Sequence, residues 1–226
     1  MRCGCAGSRG NETARPLSLT QLGFFGDGRQ TLVDDETGRI VYIPAFVDPQ
    51  TAAAWFDALR ESIAWQSERR RMYDRDVDVP RLVARYRLDD PDLPATLADA
   101  AEWASLATDT RFNSVGLNFY RDGRDSVAPH NDHLYEIVAE HPIALISLGA
   151  TRLMTIRSKN VPRRILDLNL ENGSLLVMSY ETQLHYDHGV PKTKNPADAR
   201  ISIALRVRPS TAPARSSVLS AVEGSG

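Results

Sequence analysis

The chain has 226 residues, 42% of them hydrophobic, which is enough for one domain with a full core. Its formal net charge of -2 neither advertises nor excludes nucleic-acid binding, which would need a local basic surface. The only two cysteines, Cys3 and Cys5, exclude a disulfide framework and fit a reducing, cytoplasmic setting, and no apolar run approaches the roughly 18–20 residues of a membrane span.

Residues 1–20 read as a disordered tail, rich in Gly, Ser and Arg and lacking the apolar stretch of a secretory signal. Gln30 to Val33 and Arg39 to Ile43 predict a small hairpin around Asp34-Asp35-Glu36-Thr37-Gly38. Asp48 followed by Pro49 is an N-cap with proline at the first helical position. Ala52, Trp55, Phe56, Leu59 and Ile63 then recur at helical spacing. Glu68 to Asp78 is highly charged, Pro80 to Tyr86 predicts a short extended segment, and Leu88 to Pro94 reads as a loop. Thr96 to Leu106 predicts a second helix with Leu97, Ala101 and Trp103.

From Phe112 the period switches to two: Val115, Leu117 and Phe119 alternate with Ser114, Gly116, Asn118 and Tyr120. Further strands are predicted at Ile143–Leu148, Arg152–Arg157, Ile165–Leu168, Ser174–Tyr180 and Ile201–Val207. Helices first and short strands afterwards predict a mainly β protein with N-terminal helices, an α+β chain built on a sandwich or jelly roll. No internal repeat or boundary divides residues 21–209, which are expected to be a single domain, and 210–226 reads as a second disordered tail.

Three groups of residues carry chemistry. All five histidines lie between positions 130 and 188. In an extended strand His130 and Asp132, at i and i+2, point to one face. A second histidine, either His185 or His188, would complete two imidazoles and one carboxylate around a metal, a facial triad that suits non-haem Fe(II) and leaves positions open. His185 and His188 differ by three and face opposite sides of a strand, so only one reaches the metal unless the chain turns. Arg200 and Arg206, six apart, share one face of a strand whose other face carries Ile201, Ile203, Leu205 and Val207. That face is either a solvated arginine surface or a site for carboxylates, which arginine pairs with through its planar fork. Asn118 and Tyr120 share a face by the same parity and can hydrogen-bond carboxylate oxygens.

From about Ile40 to Val207 the sequence resembles the AlkB-like, 2-oxoglutarate-dependent Fe(II) dioxygenases that oxidise alkylated nucleic-acid bases. The resemblance rests on Pro80-Arg81-Leu82, Phe112-Asn113-Ser114, Asn118 through Ser126, the His130/Asp132 pair, Ser147 through Arg152, Gly173 through Met178, His188 before Val190-Pro191-Lys192, and Arg200 with Arg206. It implies a double-stranded β-helix with helices behind one sheet. It implies Fe(II) held by the catalytic residues His130, Asp132 and His188, since the family's distal histidine precedes a Pro-Lys pair. It implies 2-oxoglutarate as cosubstrate, with O2, bound through Asn118, Tyr120, Arg200 and Arg206. Arg200 would hold the distal carboxylate, and Arg206 would lie near the metal-proximal end. The implied substrate is an N-alkylated base in DNA or RNA, met by a monomer. Alternatives are the same oxygenase chemistry on a small molecule, lipid or protein, or a nucleic-acid-binding module that has lost catalysis.

The substrate side departs from the family. Two positions after the metal aspartate, where the resemblance implies a base-reading acid, stands Leu134, which cannot accept a hydrogen bond. Glu136 is a candidate to reach back and Tyr135 to stack. Arg81 belongs to an entrance segment, and Tyr73 and Tyr86 are candidate lid aromatics. Arg69-Arg70-Arg71, Arg121, Arg124, Arg152, Arg157 and Lys159 form either a phosphate-contacting rim or a solvated face.

Overall fold

The structure, a computed structural model, describes residues 28–72, 75–195 and 197–209. Both expected tails, Tyr73, and the side chains of Arg69, Arg70 and Arg71 lie outside the described residues. The chain opens with a hairpin, β1 (Gln30–Asp35) and β2 (Gly38–Ile43). Helix α1 (Pro49–Ser62) begins where its sequence says it should: the Asp48 carboxylate accepts from the N–H groups of Gln50 and Thr51, both at 3.0 Å. The charged stretch then forms a strand, β3 (Gln66–Met72), paired with β4 (Arg75–Arg87). β4 is thus longer than the extended segment predicted from Pro80. β3 ends its sheet, and charged side chains suit an edge strand.

After α2 (Ala95–Thr108) come β5 (Ser114–Tyr120), β6 (Val127–His130), a single 3-10 turn (Leu134–Glu136), β7 (Ile143–Gly149), β8 (Arg152–Ser158), β9 (Ile165–Leu170) and β10 (Ser174–Met178). A short helix, α3 (Thr182–His185), then leads into β11 (Tyr186–Val190), and β12 (Arg200–Arg206) closes the fold. The strands make two antiparallel sheets, β1-β2-β10-β7-β12-β5-β4-β3 and β6-β11-β8-β9, in a jelly-roll-like arrangement.

Strand alternation divides the core in two. On one face of the large sheet Val115, Leu117, Ile146, Leu148, Ile201, Ile203 and Leu205 meet Trp55 and Leu59 of α1 and Leu97 and Ala101 of α2. The other face turns Tyr120, Ile143, Leu145, Leu176 and Met178 toward Met154 and Ile156 of the small sheet. Polar residues occupy this second face as well. Asn118, Ser202, Ser147 and Ser174 are register partners in one row across β5, β12, β7 and β10. The three serines are at most 1% exposed. Buried polar groups need partners, so the row marks where the sheet faces something other than hydrocarbon.

Candidate metal and cosubstrate site

β6 and β11 are neighbours, and His130 and His188 are direct register partners. Their rings lie 4.6 Å apart, centroid to centroid. Ligand atoms of His130, Asp132 and His188 all fall within 4.8 Å of one another. Asp132 lies just past the end of β6, in an irregular segment. The cluster therefore forms by cross-strand pairing plus the turn of the chain after His130, and not by i, i+2 parity along one strand. His185 ends α3, its Nδ1 3.5 Å from the Asn160 Nδ2 and outside the cluster. The chain does turn between the two histidines, at the junction of α3 and β11.

Several contacts prepare these groups to ligate. Nδ1 of His130 lies 3.0 Å from the Ala128 carbonyl, the acceptor that a protonated Nδ1 needs, and this tautomer presents Nε2. Burial pushes the His188 imidazole down to about 3, so the ring is neutral, as a metal ligand must be. Burial alone would raise the Asp132 carboxyl. The Arg206 charge and its hydrogen bond outweigh burial and hold the group below the usual carboxylate range. Arg206 Nε donates to Asp132 Oδ2 at 2.6 Å. Behind the aspartate, the nearly fully buried Gln183 of α3 accepts the Asp132 backbone N–H at 3.0 Å. Two imidazoles and a carboxylate on one side, with oriented partners, fit a divalent iron.

Gly189, between His188 and Val190 on β11, is required by close approach. A Cβ there would lie 2.9 Å from the Val127 carbonyl oxygen and 3.0 Å from the Pro129 nitrogen. The β6–β11 register shifts at this point, a bulge beside the paired histidines.

Arg200 is fully buried. Its Nη2 donates to Ser147 Oγ at 2.9 Å, while Nε and Nη1 have no hydrogen-bond partner. Its guanidinium lies 5.1 Å from the centre of the Tyr120 ring. Burial pushes the Arg200 pKa down, and among the described residues no carboxylate pairs with it. A buried cation with two unsatisfied nitrogens is costly unless an anion reaches it. The donor set fits one carboxylate of a small diacid. Arg152 covers Tyr120 too, at 5.6 Å, but its guanidinium is spent on the carbonyls of Asp122, Asp125 and Pro191, at 3.0, 2.9 and 2.8 Å. The 3%-exposed Arg152 is therefore a structural brace and no part of a surface rim. Arg121 and Arg124 are paired with Asp125 and Asp122.

A cavity of about 1130 Å³ opens over the cluster, lined by Arg81, Asn118, His130, Asp132, Glu136 and Arg206 among others. Arg81 Nε donates to Asn118 Oδ1 at 2.6 Å, which fixes the amide. Tyr120 and Arg200 are buried and do not line the open part. Glu136 does line it, ion-paired with Arg208 at 2.8 Å. Leu134 does not; the 3-10 turn directs it against the inter-sheet core. Tyr135 is outside the lining as well, and Tyr86 packs on the helix-side core instead of forming a lid.

Compared with known proteins, residues 87–206, over half of the chain, match the family model of the 2OG-Fe(II) oxygenase superfamily. The chain belongs to that superfamily. The superfamily uses Fe(II), 2-oxoglutarate and O2, and the likeness is to its AlkB-like members. The chain is 29% identical over 191 residues to the rat alpha-ketoglutarate-dependent dioxygenase alkB homolog 3, covering 74% of this chain and 63% of that protein. It is 37% identical over 109 residues to the bovine DNA oxidative demethylase ALKBH2, covering 45% of this chain and 39% of that protein. The human alkB homolog 3 shares 28% over 191 residues, 74% of this chain and 65% of the relative. The chain thus spans less than two thirds of the length of these curated relatives.

Two contributors escaped the sequence reading: Gln183, and Ser147 as a partner of Arg200, reach the site only through folding. Lys159, expected on a phosphate-contacting rim or a solvated face, donates through Nζ to Asn131 Oδ1 and the Gln183 carbonyl, both at 3.1 Å. Parity along β7 could have placed Ser147 inward. Gln183 sits on a four-residue helix with no pattern to read.

Proposed function

We propose that this protein is an Fe(II)- and 2-oxoglutarate-dependent dioxygenase that dealkylates N-alkylated bases in DNA or RNA. The observation that carries the reading is the His130, Asp132 and His188 cluster beside a buried Arg200 whose Nε and Nη1 lack partners. In this reading the three clustered residues hold iron. Arg200 and Tyr120 take the distal carboxylate of 2-oxoglutarate, while Asn118 and Arg206 lie toward the metal end. With both bound there, O2 would give one oxygen atom to a substrate C–H bond and the other to 2-oxoglutarate, which would become succinate and carbon dioxide. When that carbon is an N-methyl, the hydroxylated product collapses and formaldehyde leaves.

The chain's own groups do the positioning. Arg206 keeps the Asp132 carboxylate ionised and oriented, and Gln183 holds the backbone beneath it. Glu136, fixed by Arg208, is the acceptor available to the amino edge of a base in the cavity. Arg81, anchored on Asn118, lines the same cavity. We further take residues 21–209 as one domain, acting as a monomer in the cytoplasm. Among the described residues no helix is long and apolar enough to cross a membrane. The test is formaldehyde release from methylated oligonucleotides. Release that depends on 2-oxoglutarate supports the reading. Robust succinate formation with no release from any nucleic acid would move the substrate to another class.

A further inference from the structure

Tyr135 is the least buried aromatic residue of the site region, 77% exposed at the middle of the 3-10 turn. Its ring is stacked on His133, with centroids 5.2 Å apart and planes 18° from parallel. His133 covers one face of the ring, and the high exposure leaves the opposite face to solvent. Tyr135 follows Asp132 by three residues, so its Cα lies within about 11 Å of that of the metal-cluster aspartate. Its neighbours His133 and Glu136 line the cavity, yet Tyr135 does not. The ring therefore stands on the rim, outside the space that a reacting group would fill.

The surroundings favour an anion. The cavity lining contains Arg81, Arg85, Arg157, Lys192, Arg206 and Arg208 against only two carboxylates, Asp132 and Glu136. Both carboxylates are already paired, with Arg206 and Arg208, and Arg85 is paired with Glu68 at 2.8 Å, so the positive excess at the rim rests on Arg157 and Lys192. Arg157 and Lys192 are exposed. A polyanion that also offers flat apolar faces matches this combination, because bases stack on aromatic rings while cations follow the backbone.

We propose that His133 and Tyr135 form an aromatic ledge that stacks a base of a single-stranded nucleic acid next to the reacting base, outside the catalytic cavity. The proposal rests on the nucleic-acid reading above and deepens it. It assigns Tyr135 to a flanking base and leaves the reacting base to the cavity with Glu136. Double-stranded substrates, whose bases are stacked on one another, offer no free face to the ledge, so the ledge favours single strands.

The test is fluorescence anisotropy with three labelled strands of equal length: oligodeoxyadenylate, oligoriboadenylate and an abasic deoxyribose strand. The wild type should bind both base-bearing strands more tightly than the abasic one. Tyr135→Ala should weaken the base-bearing strands about tenfold and leave the abasic strand unchanged, as expected for a lost stacking contact. Tyr135→Trp should retain the affinity, which a merely structural role for the hydroxyl or the turn would not. Loss on only one of the two sugars identifies DNA or RNA as the strand recognised. Equal affinity of Tyr135→Ala and wild type for base-bearing strands overturns the ledge. So does an equal loss on the abasic strand, or no preference of the wild type for bases. Formaldehyde release is scored separately. Release without a Tyr135-dependent base preference sinks the ledge alone, whereas a base preference without release sinks dealkylation and leaves the ledge standing.

Discussion

Arg206 and Asp132 are 74 residues apart in sequence, and a 2.6 Å hydrogen bond joins the last residue of β12 to the carboxylate of the candidate metal cluster. The bond couples the two halves of the site, because β12 also carries Arg200. Oriented partners of metal ligands typically change metal affinity by about tenfold to a hundredfold when removed. Arg206→Met should weaken Mn(II) binding by that range under anaerobic titration calorimetry, while Arg206→Lys, which keeps the charge but not the planar fork, should recover part of it. Unchanged affinity in Arg206→Met would show the pair to be incidental.

Gln183 fixes the same aspartate from behind, through the backbone. Gln183→Leu leaves the Asp132 N–H without its acceptor, a loss of about 1–3 kcal/mol for a buried donor. It should lower both the thermal midpoint and Mn(II) affinity, and Gln183→Glu, which keeps an acceptor oxygen, should restore the metal affinity. A lower midpoint with wild-type metal affinity in both variants would limit Gln183 to stability.

Arg200 makes a prediction with opposite signs for stability and binding. Its buried guanidinium has two unpartnered nitrogens, so Arg200→Met removes an uncompensated charge. Replacing buried ionic groups by apolar ones is often neutral or stabilising by about 1–4 kcal/mol. The cosubstrate-free variant should melt at or above the wild-type temperature. It should also lose the rise in melting temperature that 2-oxoglutarate gives the wild type, since a charge-assisted contact of roughly 1.5–3 kcal/mol is gone. A variant still stabilised by 2-oxoglutarate would place the distal carboxylate elsewhere.

Leu134 and Glu136 exchange the roles their numbering suggests. Leu134 packs toward the inter-sheet core and Glu136 faces the cavity. Leu134→Asp would bring a carboxylate against that core and should destabilise the fold by about 1–3 kcal/mol without improving turnover. Glu136→Gln, which swaps an ionic acceptor for a neutral one, should slow removal of methyl groups from adenine or cytosine by roughly tenfold. Faster turnover in Leu134→Asp would mean that the turn re-forms with residue 134 in the cavity.

Gly189 is expected to tolerate no side chain, because a Cβ would collide with β6 backbone 2.9 Å away. Gly189→Ala should separate β6 from β11 and, with them, His130 from His188. Mn(II) affinity should fall further than thermal stability, and the reverse order would argue against strand pairing as the device that assembles the cluster.

Local chemistry in the sequence determined the hairpin at residues 30–43, the Asp48 cap, both long helices and seven of the strands. Each is specified by near neighbours: a cap, a helical stripe or an alternating run. The jelly-roll-like architecture and the shared strand of Arg200 and Arg206 were legible for the same reason, whereas His130 and Asp132 were paired by a strand parity that the structure replaces with the turn after β6. Residue parity left His185 and His188 open and only the resemblance favoured His188; the tertiary structure brings His188, and not His185, to His130 and Asp132. That placement depends on the turn from α3 into β11 and on β11 lying between β6 and β8; β6 and β11 are short strands that carry too few residues for a period. The same holds for the 3-10 turn that sends Leu134 inward and Glu136 to the cavity, and for Gln183 beneath Asp132. Side-chain direction in such segments follows from what the chain packs against, and no pattern of neighbouring residues encodes it.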